Sequence, residues 1–425
     1  MKKISKKIVA AKLARKVQKL LKSHNVTVII VTGSVGKTSA KVAIGKLLST
    51  KYQVRYSEDS YNTDIGLPLS IFGLKAPSPL WDPLAWQRVF QKMNSISKNY
   101  PYEVVVLEMA DDELDDMLDF LKFINPKYGV ITGIAPVHME RMKSMDKVVH
   151  DNWMIAATAE TVLYNTENPD LHKLAQKSKK AIGYGGGNGL LRLTNVIRAK
   201  TGYLKANLIK QSQSESFNSK MVGSQTLNSL LAAASVADQM GMGLKEIASG
   251  LAKIPGVNGR MQLLKGANGS KLIDDSYNSS PDAVYAALDV LKDFEAKTRI
   301  AVLGNMNELG DHSQASHYDV GKAAAKVADM LIVIGKDAEV HMVAGATEGG
   351  MSPDDIKIFK TPYEAGHFLK RIVKKGDAVL IKGSQNGVFS EEVTRILLEP
   401  SLNPEDVLVR QSATWKRRKR KAFNL

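Results

Sequence analysis

The sequence of 425 residues contains no cysteine. This absence excludes a disulfide framework, a thiolate nucleophile and a thiolate metal site. No apolar run approaches the roughly 20 residues that a membrane-spanning helix needs. The N-terminus is basic but lacks the continuous apolar stretch of a secretory signal. The composition, 44% hydrophobic and 24% charged, is ordinary for a soluble chain, and we expect a cytoplasmic location.

Acidic residues are also absent from residues 1–25, which hold nine Lys and Arg and therefore carry +9. Residues 401–425 carry +5, so the body retains only about +2 of the overall +16. A nucleic-acid-binding core usually spreads its basic residues over a folded face, and we expect no nucleic-acid partner. Basic ends suit an anionic membrane surface at the inner face, an acidic partner, or plain solubility.

The basic N-terminal segment, residues 4–22, has the pattern of an amphipathic helix. The apolar residues near one stripe are Val9, Leu13, Val17, Leu20 and Leu21. The helix either packs on the next domain or lies on a membrane surface. The C-terminal run "KRRKRK", Lys416 to Lys421, is interpreted as a solvated or lipid-attracted extension, because a charge run has little specificity.

From Val26 onwards, short apolar strands such as "VTVIIVTG", "YEVVVLEMA", "YGVITGIA" and "ETVLYNTEN" alternate with helical segments. This alternation predicts a mostly parallel α/β sheet. A second series begins near residue 259 with "SKLIDDSYN", "RIAVLGNM", "MLIVIG" and "DAVLIKGS". We therefore predict two α/β domains, residues 26–258 and 259–400, between a basic helix (1–25) and a basic tail (401–425).

The stretch "VTGSVGKTSAK", Val31 to Lys41, joins the first strand to a helix and predicts a nucleotide site. Its glycines let backbone N–H groups turn toward an anion, and the helix N-terminus adds its dipole. Lys37 supplies a charge for the β- and γ-phosphates, and the Thr38 hydroxyl can ligate Mg²⁺. ATP is the expected ligand. A nucleotide site alone leaves kinases, ligases, motors and GTPases open.

Polar residues at strand ends extend this site. Glu108 ends the strand "YEVVVLE", at the same sheet edge as the phosphate loop, and can hold Mg²⁺; the alternative is a capping or surface glutamate. His138, after "GVITGIA", is a candidate second metal ligand, although a lone His is more often structural. Arg260 of "GRMQ" lies at the domain junction, where a guanidinium could reach the γ-phosphate. Asp275 of "DDSYNSSP" could bind a ribose hydroxyl.

Taken in order, the short phosphate loop, "NTDIGLPLSI", "LEMA", "ITGIAPVHME", "GRM", "DDSYNSSPDAV", "LGNMNELG" and "VLIKGS" resemble the Mur ligases. The closest type is the UDP-N-acetylmuramoyl-tripeptide:D-alanyl-D-alanine ligase. The resemblance implies a P-loop-type, mostly parallel central ATPase domain followed by a Rossmann-like α/β domain. It also implies an ATP-dependent, ADP-forming amide ligase of peptidoglycan precursor synthesis, acting through an acyl phosphate.

The resemblance further assigns roles by motif. The ATP-binding residues would be Gly33, Ser34, Val35, Gly36, Lys37, Thr38, Ser39, Asn228, Arg260 and Asp275. The Mg²⁺ ligands would be Thr38, Glu108 and His138, and the catalytic residues Lys37, Glu108, His138 and Arg260. The substrate residues would be Asn62, Thr63, Tyr277, Asn278, Lys382 and Ser384. The implied substrates are a UDP-MurNAc-peptide or related carboxylate acceptor and an amine such as D-Ala-D-Ala.

Two departures from the family pattern stand out. Only about 25 residues precede the ATP domain, so the usual N-terminal UDP-binding domain is expected to be absent. Many members hold a second Mg²⁺ with a carbamylated lysine about 14 residues after the His, and here that position is Asn152, next to Asp151. The alternatives are a Mur-like or folylpolyglutamate-type ligase with another acceptor, or a non-catalytic ATP-binding partner. The expected oligomeric state is a monomer.

Overall fold

The computed structural model describes residues 3–57, 63–109, 114–134, 144–223, 225–307, 309–385 and 387–424. These residues form two six-stranded sheets and one three-stranded sheet. Within the described part of the chain, no helix combines the length and the apolar character needed to cross a bilayer.

The first sheet consists of β1 (Thr27–Thr32), β2 (Val54–Arg55), β3 (Val104–Glu108), β4 (Tyr128–Ile131), β5 (Thr161–Asn165) and β6 (Ala181–Tyr184). Its order is β2-β3-β1-β4-β5-β6, and every neighbouring pair is parallel. The predicted parallel sheet is confirmed. Because β3 and β4 flank β1 on opposite sides, the carboxyl end of β1 is a topological switch point, where α/β sheets bind ligands.

Helices cover both faces of this sheet. They are α1 (Lys3–His24), α2 (Lys37–Leu48), α3 (Gly66–Phe72), α4 (Pro83–Ile96), α5 (Leu114–Leu121), α6 (Met145–Ala156), α7 (Pro169–Ala175), α8 (Gln225–Gln239) and α9 (Leu244–Leu251). Residues of β1 alternate between the two layers: Ile29 and Val31 pack with α2, α8 and α9. Val28 and Ile30 pack with α1, α3 and α4. Strands buried on both faces explain the continuous apolar run in the sequence.

The predicted N-terminal helix is confirmed as α1. Its stripe residues Leu13, Val17 and Leu20 are buried against the first sheet's core. Packing on the neighbouring domain therefore accounts for the apolar stripe. The exposed basic residues of α1 are Lys7, Lys12, Arg15, Lys19 and Lys22.

An antiparallel sheet of β7 (Leu191–Arg198), β8 (Tyr203–Lys210) and β9 (Gln213–Val222) follows. It was not among the predicted elements, although Leu204, Ala206 and Leu208 alternate with polar residues and are buried. Its β7–β8 turn contacts the second domain, where Arg198 Nη1 lies 2.6 Å from Asp293 Oδ2.

The second sheet consists of β10 (Gln262–Lys265), β11 (Lys271–Asp275), β12 (Arg299–Gly304), β13 (Met330–Ile334), β14 (Ile356–Phe359) and β15 (Ala378–Lys382). Its order is β10-β11-β15-β12-β13-β14, with β10 antiparallel and the others parallel. Its α-helices are α10 (Pro281–Asp293), α11 (Ser313–Ala325), α12 (Val343–Glu348), α13 (Pro362–Ile372) and α14 (Glu391–Leu397). Single turns of 3₁₀-helix at Ala267–Gly269, Gly310–His312 and Pro353–Asp355, and a π-helical turn at Ala338–Met342, complete this half.

The basic C-terminal segment folds onto the second sheet as α15 (Pro404–Val407) and α16 (Ala413–Ala422). Lys419 is 1% exposed, and its Nζ lies 2.8 Å from Glu391 and 2.7 Å from Glu392. The other residues of the run, Lys416, Arg417, Arg418, Arg420 and Lys421, are exposed, so the interpretation as a solvated extension is wrong at Lys419. A charge run in the sequence gave no sign of these two buried carboxylates, because they lie on α14.

Candidate functional site

The phosphate loop between β1 and α2 is fastened to the end of β4. The backbone N–H groups of Ser34 and Val35 donate to the Gly133 carbonyl at 2.9 and 3.1 Å. The Thr132 hydroxyl donates to the Val35 carbonyl at 2.7 Å, and its oxygen lies 3.0 Å from the Thr32 carbonyl oxygen. These bonds occupy the amides of the loop's middle, so an anion must be bound by the amides that follow.

Two glycines set the path of this loop. Gly33 has φ +136°, and a Cβ there would lie 2.2 Å from the Thr132 hydroxyl oxygen. Gly36 has φ +81° and is the N-terminal cap of α2. Since a glycine cap offers no side chain, the amides of the first helical turn stay available to an anion.

The side chains around the loop also fit a phosphate. The Ser34 hydroxyl oxygen is buried and has no hydrogen-bond partner among the described residues. The Lys37 ammonium donates to the Gly33 carbonyl, and Ser39 lies half-buried in the same turn. A hydroxyl without a partner, a lysine and a helix N-terminus are groups that suit an anion.

Glu108 and Thr38, both predicted Mg²⁺ ligands, are adjacent. The Thr38 hydroxyl lies 3.1 and 3.0 Å from the two carboxylate oxygens of Glu108. Glu108 at the end of β3 is in register with Val31 of β1. The pairing of these two strands therefore brings Glu108 beside Thr38, in the first turn of the helix that follows β1. Carboxylate and hydroxyl oxygens are the donors that Mg²⁺ prefers, so the pair fits the ion.

Lys41, which the sequence reasoning did not single out, completes this cluster. Its Nζ lies 2.9 Å from Glu108 Oε2, and both side chains are almost fully buried. Lys41 is three residues after Thr38, so the two share one face of α2. This helical spacing from Lys37 and Thr38 was the feature of the sequence from which Lys41 could have been placed at the site. The ammonium holds one oxygen of the carboxylate in place.

The second metal region is only partly described. His138 lies outside the described residues, and among those that are described no three acidic or histidine side chains gather into a metal cluster. Asn152, at the position of the family's lysine, accepts a hydrogen bond from the Thr32 hydroxyl at 2.6 Å and donates to the Val148 carbonyl. Asp151 is buried and accepts from Lys147.

Of the remaining residues predicted in the first half, Asn228 lies in the first turn of α8. Its neighbour Ser229 is buried beside the loop, with its hydroxyl 3.7 Å from a Cβ placed on Gly36. Asn228 is therefore next in sequence to a residue that borders the phosphate loop. The Thr63 hydroxyl accepts from the amide of Gly66, the first residue of α3, at 3.0 Å. Asn62 lies outside the described residues.

In the second half, Asp275 and Lys382 form a buried ion pair at 2.6 Å, at the ends of the neighbouring strands β11 and β15. The other carboxylate oxygen of Asp275 accepts from the Met261 amide at 3.1 Å. Lys382 also donates to the Asn278 carbonyl at 2.9 Å. The predicted substrate residue Lys382 is thus 2% exposed and positions the loop that follows β11.

Arg260 stacks on Tyr277, with its guanidinium carbon 4.0 Å from the ring centroid. The Tyr277 amide donates to the Gly259 carbonyl at 3.0 Å, which joins the two loops. The Nε of Arg260 is buried and has no hydrogen-bond partner in the described structure. A guanidinium held flat with an unsatisfied donor is suited to a phosphate ligand.

Arg410 holds the same loop from the C-terminal segment. Its guanidinium donates to the carbonyls of Ser276 at 2.7 Å and Tyr277 at 3.0 Å. It also makes a two-point contact with the fully buried carboxylate of Glu391 at 2.8 and 2.7 Å. The sequence reasoning missed Arg410, because no local pattern relates a tail arginine to a loop more than a hundred residues away.

Ser384 and Asn278 are brought together beside this loop. The Ser384 hydroxyl accepts from the Asn307 amide at 2.8 Å and donates to the Ser279 carbonyl at 3.3 Å. The Asn278 side chain accepts from the Gln385 amide at 3.4 Å. The predicted residues therefore form two groups, one at the carboxyl edge of each sheet.

Comparison with known proteins places both groups within matched segments. Residues 31–237 match the Mur ligase middle domain, and residues 259–385 match the Mur ligase glutamate ligase domain. Together these segments contain all the site residues discussed above except Arg410 and its partner Glu391.

Relatives of known name align along most of the chain. The UDP-N-acetylmuramoyl-tripeptide–D-alanyl-D-alanine ligase of Bacillus subtilis is 26% identical over 385 residues, covering 88% of this chain and 77% of that protein. The Synechocystis ligase of the same name is 27% identical over 389 residues, covering 90% and 76%. The structure of the MurF ligase from Thermotoga maritima in complex with ADP has a TM-score of 0.72 and 25% identity, and covers 91% of this chain and 84% of that one.

Proposed function

The chain belongs to the Mur ligase family, and from that premise we propose that it is an ATP-dependent, ADP-forming ligase that joins D-alanyl-D-alanine to UDP-N-acetylmuramoyl-tripeptide. The relatives described above carry this reaction in their names. The single observation that supports it best is the contact between Thr38 and Glu108 beneath the phosphate loop. A phosphoryl-transfer site needs a loop that binds phosphate and, beside it, oxygen ligands for Mg²⁺.

The first half-reaction transfers the γ-phosphoryl group of ATP to a carboxylate of the tripeptide acceptor. The first-turn amides of α2 and the Lys37 ammonium bind the phosphates and neutralise the charge that spreads over the transferred group. The proposed role of Ser34 is a further hydrogen bond to phosphate, because its buried hydroxyl lacks a partner in the described structure. Positioning and charge neutralisation are the main needs of this chemistry.

Thr38 and Glu108 are the residues that would hold Mg²⁺. The ion, when bound, supplies neutralisation of phosphate charge as a Lewis acid. Lys41 fixes one oxygen of the Glu108 carboxylate and so keeps the carboxylate beside the Thr38 hydroxyl. The part of His138 in a second metal site remains a proposal from the family resemblance alone.

The second half-reaction is attack of the incoming amine on the acyl phosphate, with release of inorganic phosphate. The residues at the end of β11 and β15 would orient the nucleotide and the amine: Arg260 at the γ-phosphate, Asp275 at the ribose, and Tyr277, Asn278 and Ser384 at the amine. We assign Lys382 a positioning role, since its ammonium is buried against Asp275. Closure of the two domains would exclude water from the acyl phosphate.

Release of inorganic phosphate from ATP and Mg²⁺ tests the proposal. UDP-N-acetylmuramoyl-tripeptide and D-alanyl-D-alanine are added singly and together, and the joined product is identified by mass. We expect sustained release and product only with both substrates, and loss of both signals in Lys37→Ala. Lys51→Ala, at an exposed lysine just beyond α2, is the matched control and should keep full activity.

Two other outcomes separate the alternatives. Phosphate release with a different carboxylate acceptor or amine, folate and glutamate included, would assign the same chemistry to other substrates. Binding of ATP without release under any substrate combination would assign a non-catalytic role. We also propose a cytoplasmic location and a monomeric state, which fractionation and light scattering would test.

A further inference from the structure

We propose that the outer face of α1 and α4 is a docking surface for an anionic lipid bilayer. This surface, the α1–α4 face, comprises the exposed side chains of residues 7–22 and 80–92. Residues 7–22 and 80–92 include none of the predicted site residues, so the proposal does not depend on the reaction catalysed.

The two helices lie side by side and run in the same direction. The Lys12 ammonium lies 4.4 Å from the centroid of the Phe90 ring. One turn further on, the Lys16 ammonium donates to the Asn94 side chain. At the end of both helices, His24 contacts the Ser97 carbonyl at 2.8 Å. The first two contacts each join a residue of α1 to the residue 78 positions later in α4. This equal spacing fixes the register between the two helices.

This register gathers exposed apolar side chains at one end of the face. Ile8 lies one turn before Lys12, and Trp86 lies one turn before Phe90, so both are at the same level. The Trp86 indole donates to the Leu80 carbonyl at 2.8 Å, which fastens the segment before α4 at that level. Trp81 follows Leu80 directly.

The exposure of these side chains is unusual for this protein. Trp81 is 69% exposed, Leu84 65% and Ile8 64%, and these are the three highest values among the large apolar side chains that the structure describes. All three lie at the same end of the α1–α4 face. Single exposed apolar residues are ordinary, but an exposed group with a tryptophan indicates a binding surface.

The surrounding charges are basic. Residues 7–22 contain six Lys and Arg and no acid. Residues 80–92 add Arg88 and Lys92, and their one acid, Asp82, is occupied in capping α4 through the Leu84 and Ala85 amides. Burial, together with the neighbouring charges of Lys12 and Lys19, lowers the pKa of Lys16, as expected where cationic groups are crowded.

This combination favours a membrane over other partners. Tryptophan and leucine side chains that protrude beside lysines are typical of helices that lie in the headgroup region of a bilayer. Protein interfaces are depleted in lysine at their core. Nucleic-acid sites use basic residues against phosphate but have no use for protruding Leu84 and Ile8. Phospholipids with anionic headgroups offer an apolar region for the protruding side chains of the α1–α4 face and negative charge for its lysines.

Sedimentation of the full chain with lipid vesicles tests the proposal. One set contains phosphatidylcholine with phosphatidylglycerol, and the other contains phosphatidylcholine alone. We expect binding to the first set that weakens as salt is raised, and at least tenfold weaker binding to the second. The double variant Trp81→Ser/Leu84→Ser and the triple variant Lys7→Gln/Lys12→Gln/Lys19→Gln should each lose on the order of tenfold in affinity.

Matched controls are available elsewhere on the chain. Ile197→Ser removes an apolar side chain of similar exposure, 60%, from β7. Arg417→Gln/Arg420→Gln/Lys421→Gln removes three exposed charges from α16. Both controls should bind the anionic vesicles as the wild type does. In addition, Trp81 fluorescence, measured as the difference between wild type and Trp81→Phe, should be quenched by lipids brominated on their acyl chains.

Several outcomes would overturn the proposal. These are no binding to anionic vesicles, equal binding by the α1–α4 variants and the wild type, or equal loss in the α16 control. Tight binding of an oligonucleotide that is lost in the lysine variant, without vesicle binding, would assign the face to nucleic acid instead. The substitutions lie on the surface and outside the proposed site, so ATP-dependent turnover without lipid should be unchanged.

Discussion

Asp274 should make the protein less stable as the pH rises through the weakly acidic range. Its side chain in β11 is fully buried. One oxygen accepts from the Thr394 hydroxyl at 3.0 Å. Burial raises the pKa of Asp274 to about 6 from its ordinary value of 3.8, although hydrogen bonding to Ser276 and Thr394 opposes this shift. The nearby carboxylates of Glu391 and Asp275 act in the same direction as burial.

The sign of the effect follows from proton binding. Between pH 3.8 and about 6 the folded state holds a proton on Asp274 that the unfolded state has released. The free energy of unfolding therefore falls as the pH rises through this window and stays at its lower value above it. At about 1.4 kcal/mol per pH unit, the loss amounts to about 3 kcal/mol in order of magnitude.

Asp274→Asn tests this reasoning, because the amide keeps the shape and an acceptor for Thr394 but carries no charge. Urea unfolding should show little difference from the wild type near pH 3.5 and an Asn variant that is more stable by about 3 kcal/mol at pH 8. Asp354→Asn, on an exposed turn, is the control and should show no such trend. A stability difference that stays constant with pH, or one that favours the wild type at pH 8, would refute the argument.

Three further substitutions are expected to act on the site. Gly33→Ala should weaken ATP binding and lower the free energy of unfolding by about 1–3 kcal/mol, because the left-handed φ and the Thr132 hydroxyl leave no space for a Cβ; calorimetry and urea unfolding measure both. Arg410→Lys should destabilise by about 2 kcal/mol and raise the KM for ATP, since an ammonium cannot hold two carbonyls and Glu391 together. Glu108→Gln should raise the Mg²⁺ concentration needed for half-maximal turnover.

Each of these has a control of the same residue type. Gly187→Ala is suitable for the first, because a Cβ there would meet nothing within 4 Å. Arg417→Lys and Glu160→Gln change exposed residues and should leave KM and the Mg²⁺ requirement unaltered. Unchanged ATP affinity in Gly33→Ala, unchanged KM in Arg410→Lys, or an unchanged Mg²⁺ requirement in Glu108→Gln would contradict the corresponding role.

The part of the site that could be predicted is the part encoded locally. The strand, the glycines and the helix that begins at Lys37 are contiguous, so their geometry follows from backbone rules. Glu108 is distant in sequence but ends a parallel strand, and the ends of parallel strands meet at one sheet edge. Its contact with Thr38 could therefore be expected from topology, without knowledge of the side-chain packing.

The antiparallel sheet β7–β9 shows a different kind of omission. Its buried residues Leu204, Ala206 and Leu208 alternate with polar ones, which is the period of a half-buried strand. The pattern was present in the sequence, but the predicted strand–helix alternation over residues 26–258 did not include an antiparallel sheet. Where a predicted alternation of strands and helices leaves a long segment unassigned, the periodicity of its apolar residues is the better guide to its secondary structure.

The buried ion pairs could not have been predicted, for a physical reason. Lys41, Lys382 and Lys419 are each at most 2% exposed and each contacts a buried carboxylate. In a sequence, a lysine is assigned to the surface, because an unpaired buried ammonium is very costly. Only the fold reveals the partner, and the partner lies many residues away.

These buried charges have a consequence for the site itself. A buried ion pair contributes little net stability compared with apolar residues of similar volume, so stability alone does not account for three of them. Lys41 contacts Glu108, which is proposed to bind Mg²⁺, and Lys382 contacts Asp275, which is proposed to bind the ribose. Lys419 holds Glu391, which in turn holds the guanidinium of Arg410 against the Tyr277 loop. In each case a cation orients a carboxylate at or beside the proposed site, which is the preorganisation that phosphoryl transfer requires.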